Sequence, residues 1–382
     1  MQKRYYYFPI LKTRTSEVNA YEALDFSVKS EILPIIEMTG ELGYTYSSKC
    51  KDEKMRGKRR PGDINKKVQK ILNFMENRRF VLDITDDEAL KYDGLSNRNG
   101  GLLDPADGYR AWCNFLRQNT TFKKQVIPTI QFDTTYMSEV EKQIEELDKE
   151  FDYLAIKLPA HTNSTDSLEP NPIPQIIDYV YAKLSNNNAK LLIILDYAYV
   201  SDFDEKTVQY GLSNIDTAKL KALIVVSSSF PASVRNAGKP PLPIHENDIS
   251  DVAINTLQKN NVFHGDYSSI HPIRYEMGGG GWIPRIDYII RDSTGRAIKY
   301  AYFRGNKANT SSEYTGLAQQ VIAAPNYVPI TKLSVIGDQR IAAKARNGAE
   351  GKSPSYWITV RSNIYMTTQY LYLKAHGLFL SL

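Results

Sequence analysis

Eight short apolar runs in this chain each end on a residue able to bind or react: Lys12, Glu37, Asp83, Gln131, Lys157, Asp196, Ser227 and Asp266. Four are carboxylates and two are lysines. Burying such groups costs on the order of several kcal/mol each unless they pair or hold a ligand. Converging carboxylates suit a hard divalent cation, Mg²⁺ or Mn²⁺, and Glu37, Asp196 and Asp266 are the candidate ligands. Lysines beside them suit a phosphate. The combination points to metal-assisted cleavage of a phosphate ester, with Glu37, Asp83, Asp196, Asp266 and Lys157 as the catalytic set and Lys12 and Ser227 on the ligand. The plain structural alternative is a ring of lysine–carboxylate pairs.

Other chemistries find less to build on. His161, His245, His264, His271 and His376 are scattered, with no HExxH or HxxEH spacing for zinc. His264 reads as a core residue. Ser227-Ser228-Ser229 lacks the Gly-x-Ser-x-Gly elbow of a serine nucleophile. It suits either a phosphate or a helix cap. The run Gly278 to Gly281 lacks the Lys-Ser/Thr of a P-loop and reads as a hinge. Two cysteines, Cys50 and Cys113, exclude a disulfide framework and fit a reducing, cytoplasmic setting.

The elements that must position these residues follow from the same runs. Tyr5–Leu11, Ile32–Ile36, Phe80–Leu82, Val126–Ile130, Tyr153–Ile156, Leu191–Leu195, Leu223–Val226 and Val262–Gly265 are continuous apolar stretches, as strands covered on both faces require. Amphipathic helical patterns lie between them at Ile64–Asn77, Ser138–Glu150, Pro172–Leu184 and Ile249–Gln258. Ser138 with Glu141 has the spacing of a capping box. This alternation predicts an α/β chain folded as a (β/α)8 barrel, with an open doubly wound sheet as the alternative. In a barrel the strand-end residues share one mouth.

Two long polar segments, 40–61 and 85–105, follow the second and third runs and belong to the same mouth. The first is basic, with Lys49, Lys51, Lys54, Arg56, Lys58, Arg59 and Arg60. A solvated loop and a nucleic-acid contact are both open readings of it. Beyond Asp266 the pattern changes. Arg285–Arg291 and Ala297–Arg304 read as a hairpin turning at Asp292-Ser293-Thr294-Gly295, and Trp357–Lys374 as a helix. Residues 1–270 are therefore expected to form the barrel, and 271–382 an appendage packed on it within one domain.

The bulk properties agree with one folded chain. The 382 residues are 42% apolar and 24% charged, with a formal charge of +5. That balance is globular and only mildly basic. No apolar run approaches the roughly 18 residues of a membrane-spanning helix, and the opening MQKRYYYFPILK has no signal-peptide core.

Several short motifs also resemble one family. Tyr7-Phe8-Pro9-Ile10-Leu11-Lys12 with Glu17 and Ala20, Pro34-Ile35-Ile36-Glu37, the strand ending at Asp196, and Gly265-Asp266-Tyr267 are similar to the beta protein family of bacteriophages and bacteria. Arg285–Tyr288, Phe303-Arg304-Gly305, Gly337-Asp338 with Ile341, and Trp357 extend the similarity over nearly the whole chain. Asn363-Ile364-Tyr365 stands where that family tends to carry histidines. The resemblance implies a phage or prokaryotic setting, with a part in phage–host conflict, and no known reaction. It adds Arg285, Arg304 and Asp338 to the ligand-binding candidates. Two readings stay open: a hydrolase acting on a nucleotide or nucleic acid, and a non-catalytic subunit that captures an anion or a protein partner.

Overall fold

The computed structural model describes residues 2–40, 64–85, 87–91, 99–118, 122–160, 171–185, 190–234, 241–273, 282–308 and 310–382. Each of the eight apolar runs contains a strand: β1 (Phe8–Lys12), β2 (Ile35–Met38), β3 (Phe80–Ile84), β4 (Val126–Pro128), β5 (Leu154–Pro159), β6 (Leu191–Tyr199), β7 (Ala222–Ser228) and β8 (Val262–Asp266). They form one parallel sheet in the order β4-β3-β2-β1-β8-β7-β6-β5. The first and last strands in that order then meet, through a parallel bridge between Thr129 and Ala155 and an Ile130 N–H to Ala155 carbonyl bond of 2.7 Å. The sheet is thus a (β/α)8 barrel, and the open-sheet alternative falls.

Strand side chains alternate between two cores, because successive residues face opposite sides. Phe8, Ile10, Ile35, Val81, Ile127, Leu192, Ile194, Ile224, Val226 and Phe263 fill the barrel interior. Their neighbours Leu11, Ile36, Leu82, Ile193, Leu195, Leu223, Val225 and Val262 face the helices. Gly265 is inward-facing, and a Cβ there would sit 2.8 Å from the Phe8 carbonyl oxygen and from Val226 Cγ2. The closeness of β8 to its neighbours therefore depends on the missing side chain. The floor of the barrel is closed by an antiparallel clasp of Arg4–Tyr5 with Leu380–Ser381, which packs Tyr5 and Leu380 into the interior core.

The helices cover the outer face: α1 (Thr15–Glu22), α2 (Ile64–Met75), α3 (Ala106–Gln118), α4 (Met137–Asp148), α5 (Ile173–Lys183), α6 (Glu205–Gly211) and α7 (Glu246–Leu257). The expected capping box is not formed. α4 begins one residue earlier, at Met137, and its Ncap Tyr136 makes no side-chain cap. A preceding 3₁₀ turn supplies the stop instead, with Asp133 accepting the Thr135 N–H at 2.9 Å.

The C-terminal part has its own apolar core. Strands β9 (Arg285–Arg291) and β10 (Ala297–Arg304) form the expected hairpin, with Asp292 accepting the backbone N–H groups of Thr294 and Arg296 at its turn. Helices α8 (Tyr314–Ala323), α9 (Ile336–Ala345) and α10 (Pro354–His376) pack with it around Ile286, Tyr300, Tyr314, Trp357 and Ile364. The long α10 joins both parts. Its Trp357, Val360 and Ile364 belong to this core, and its Met366 and Tyr370 to the core outside the barrel. It also lies along α1, where Asn363 donates to the Ala20 carbonyl and Thr359 to the Ser16 carbonyl. Among the described residues no helix is long and apolar enough to cross a membrane.

Candidate functional site at the barrel mouth

At the C-terminal end of the strands, the inward positions change from apolar to charged. Register places Lys12 beside Glu37 and Glu37 beside Asp83 on β1, β2 and β3. Opposite them, Lys157 of β5 reaches across, its Nζ 2.7 Å from Glu37 Oε1 and 3.4 Å from Asp83 Oδ2. Lys12 Nζ sits 3.0 Å from Asp87 and 3.8 Å from the second Glu37 oxygen, and also donates to the Pro272 carbonyl. Thr129 donates to Asp83 at 2.7 Å and Gln131 to the same oxygen at 3.4 Å. On the far wall the Tyr267 hydroxyl donates to Asp196 Oδ2 at 2.5 Å, and Ala198 N–H to Oδ1 at 2.8 Å.

These contacts join Lys12, Glu37, Asp83, Gln131, Lys157 and Asp196, all expected at the mouth, with Asp87 and Tyr267, which were not. Glu37, Asp83, Asp87 and Lys12 are buried, whereas Lys157 and Asp196 are partly exposed. Four carboxylates against two lysines leave an acidic floor. Burial holds the Asp196 carboxyl above the usual range, opposed by Lys157 and by its two hydrogen bonds and reinforced by Glu37. Tyr267 is pushed far up by burial and then by Asp196 and Glu37, so it remains a hydrogen-bond donor.

Ser227 and Asp266 do not join this group. Both occupy outward positions, one residue out of phase with Val226 and Tyr267. Asp266 is fully buried on the outside of the barrel wall. It accepts from the Tyr7 hydroxyl at 2.5 Å, the Ser268 N–H at 2.7 Å and the Gln369 amide of α10 at 3.4 Å. His264 Nε2 lies 3.0 Å from it, with His264 Nδ1 2.7 Å from Ser250 Oγ. Ser250, His264 and Asp266 have the connectivity of a nucleophile–base–acid relay. Ser250 is on α7 itself, and all three are buried between the barrel wall, α7 and α10, away from the mouth. The proposed metal set of Glu37, Asp196 and Asp266 is therefore split between two sides of the wall, and among the described residues no three His, Cys, Asp or Glu groups are placed to hold an ion.

Asp338 is also elsewhere, in the first turn of α9, where its carboxylate accepts the Ile330 N–H at 2.9 Å. Arg285 and Arg304 face each other across the hairpin. Arg285 pairs with Asp287 at 2.8 Å, and the same carboxylate binds Arg361 of α10. Arg361 is buried over the Phe230 ring at 3.7 Å and donates to Ser269, two residues beyond Tyr267. Arg285, Arg304 and Arg361 thus form a basic wall beyond Ser269, in which Arg361 is buried and shares the Asp287 carboxylate with Arg285. The basic segment Lys49–Arg60, Cys50 and Gly278–Gly281 lie outside the described residues. Cys113 is buried, its thiol pushed up to about 12 chiefly by desolvation.

The sequence profile described as "Beta protein" matches residues 7–370, a span containing the barrel strands, the mouth and most of α10. The chain belongs to the Beta protein family. Protein beta of Enterobacteria phage P4 is 27% identical over 389 residues, covering 96% of this chain and 93% of that protein. Among solved structures, a chitinase from Chromobacterium violaceum is similar at a TM-score of 0.33 and 10% identity, over 93% of this chain and 98% of that one. The spore cortex-lytic enzyme SleL of Bacillus cereus is similar at 0.32 and 10%, over 95% and 75%. Likeness at that level carries no argument about chemistry. The Beta protein match spans Asp87, Tyr267 and Arg361, the site residues that the strand-end pattern left out. Tyr267 was detectable from alternation along β8, since Phe263 and Gly265 face inward. Arg361 had no sequence signal beyond being the one charged residue of α10 before Lys374.

Proposed function

We propose that the barrel mouth hydrolyses a phosphate ester of a nucleotide or nucleic acid, with the anionic group against the arginine-bearing wall and the scissile bond over the acidic floor. The observation that carries this reading is the juxtaposition of a partly exposed, hydrogen-bonded Asp196 with the Lys157-bridged pair Glu37 and Asp83. Asp196, held toward its protonated form, gives its proton to the leaving oxygen as the P–O bond breaks. Glu37 takes a proton from the attacking water. Lys157 stabilises the charge that develops between them. Lysine fills the role that metal was expected to fill: a Mg²⁺ or Mn²⁺ ion bound by Glu37 and Asp83 would displace the Lys157 ammonium from between them. Turnover of bis(p-nitrophenyl) phosphate and dinucleotides tests this. Wild type should act without added metal, and Lys157→Met should lose about 100-fold or more. No turnover by wild type, or turnover only with Mn²⁺, would overturn the proposal.

A second reading is favoured by one specific observation. Both lysines of the mouth are already satisfied within the protein, Lys12 by Asp87 and the Pro272 carbonyl and Lys157 by Glu37 and Asp83. A non-catalytic subunit of a phage–host conflict complex could use the same mouth only to capture an anion or a protein. Its signature is thermal stabilisation by an anionic ligand or partner with no turnover.

A further inference from the structure

The rim of the mouth carries an aromatic pair that neither the acidic floor nor the basic wall uses. Tyr199, at the end of β6, and His271, beyond β8, have ring centroids 4.7 Å apart at an interplanar angle of 38°. Tyr199 is 39% exposed and Ile273, two residues past His271, 50%, two of the few large apolar side chains exposed among the described residues. Exposed apolar groups gathered at a polar site mark a binding surface more often than a solvent face.

Two departures from regular backbone bring these rings together. The register of β6 on β7 breaks between Asp196 and Tyr199, and Ala198 there has φ +51°. Such a bulge re-aims the side chains that follow it. Beyond β8, Ser268 and Ser269 both adopt left-handed backbone, at φ +52° and +63°. Neither is glycine, so each conformation costs free energy that its surroundings must repay. The strap they begin is tied down at several points: Ser228 donates to the Ile270 carbonyl at 2.8 Å, Arg361 donates to Ser269, and Lys12 donates to Pro272. Burial and nearby Lys12 depress the His271 pKa, so a neutral ring is presented.

The same contacts set the distance to the basic wall. Tyr199 pairs with Ser228, whose hydroxyl accepts the Phe230 N–H at 3.2 Å, and Phe230 lies under Arg361 and 5.8 Å from the Arg285 guanidinium. The aromatic face is therefore only a few residues from the partly exposed Arg285 guanidinium, with Arg361 buried on the same Phe230 ring.

We infer that Tyr199 and His271 form a stacking subsite for a planar heteroaromatic ring, so that the ligand of the mouth is a nucleobase joined through a sugar to a phosphate. This inference rests on the proposed phosphate-binding role of the mouth and adds the ring to it. Calorimetry with AMP, ribose 5-phosphate and inorganic phosphate reads the two parts separately. AMP should bind about tenfold more tightly than ribose 5-phosphate, the advantage expected of one stacked base. Tyr199→Ala should bring that ratio close to one, and Tyr199→Phe should keep it. Equal binding of AMP and ribose 5-phosphate by wild type, or a ratio that survives Tyr199→Ala, would overturn the stacking subsite. If the sugar phosphate binds and Arg285→Met abolishes it while the ratio stays at one, the phosphate reading stands and the ring alone is lost. If none of the three binds, both fall. A single-stranded octanucleotide compared with AMP then names the source, since tighter binding of either one supports the subsite.

Discussion

Two polar clusters lie at the same end of the barrel, separated by the thickness of one strand. Inside the wall, Glu37 and Asp83 share Lys157, Asp196 accepts from Tyr267, and Lys157 and Asp196 open partly to solvent. Outside it, Asp266 is enclosed with His264, Tyr7 and Gln369 beneath α10. The residue types are similar, and both clusters are hydrogen-bonded throughout. What separates them is facing. A charge turned into the open end of a barrel can meet a ligand. The same charge turned outward meets a helix and serves to fix that helix in place. Asp266 does the second: it ties β8 to β1 through Tyr7 and to α10 through Gln369.

The sharpest way to break the comparison is at Asp266. Asp266→Ala leaves Tyr7, His264 and Gln369 without their common acceptor in a sealed site, and should cost about 3–5 kcal/mol of stability in chemical denaturation. A cost below about 1 kcal/mol would mean that the outer cluster is not structural. Glu37→Gln should cost less, about 1–3 kcal/mol, because Lys157 retains Asp83 and Lys12 retains Asp87. If it cost more than Asp266→Ala, the mouth would be the more structural of the two.

A third variant sharpens the boundary between the regions. Glu17, in α1, is buried behind Lys12 and accepts its N–H at 2.7 Å. Its carboxyl is pushed up to about 7 from an ordinary 4.5, chiefly by burial, with Arg14 opposing. The folded protein therefore holds this proton more tightly than the unfolded chain does. The resulting stability is fully present below pH 4.5 and is lost as pH rises through 7. Glu17→Gln should flatten the stability profile over that window, removing a fall on the order of 3 kcal/mol. An unchanged profile would show that Glu17 does not titrate there.

The barrel was legible because its signal is redundant. Each of eight runs is too apolar for a half-exposed strand, and each is followed by a helical period or a long polar connection. The mouth was legible in part. Where the run ended on an inward position, as at Lys12, Glu37, Asp83, Lys157 and Asp196, the last residue lies in the mouth. At Ser227 and Asp266 the run extended one residue past the inward phase, and a shift of one residue along a strand reverses its face. The inward neighbours, Ser228 and Tyr267, carry the contacts instead. The Asp287–Arg361 pair joins residues 74 apart in the chain, and no local pattern encodes a pairing set by the packing of α10 on the hairpin. The capping box failed for a related reason: an upstream Asp133 had already ended the loop.

The most direct test sets Asp196→Asn beside Asp266→Asn, measuring phosphodiester turnover and the melting midpoint of each. Asp196→Asn should lose turnover by about 100-fold or more, with a midpoint within about 4 °C of wild type, while Asp266→Asn should melt markedly lower. Full turnover in Asp196→Asn, or a collapse of its fold equal to that of Asp266→Asn, would contradict the assignment of the inner cluster to chemistry and the outer one to structure.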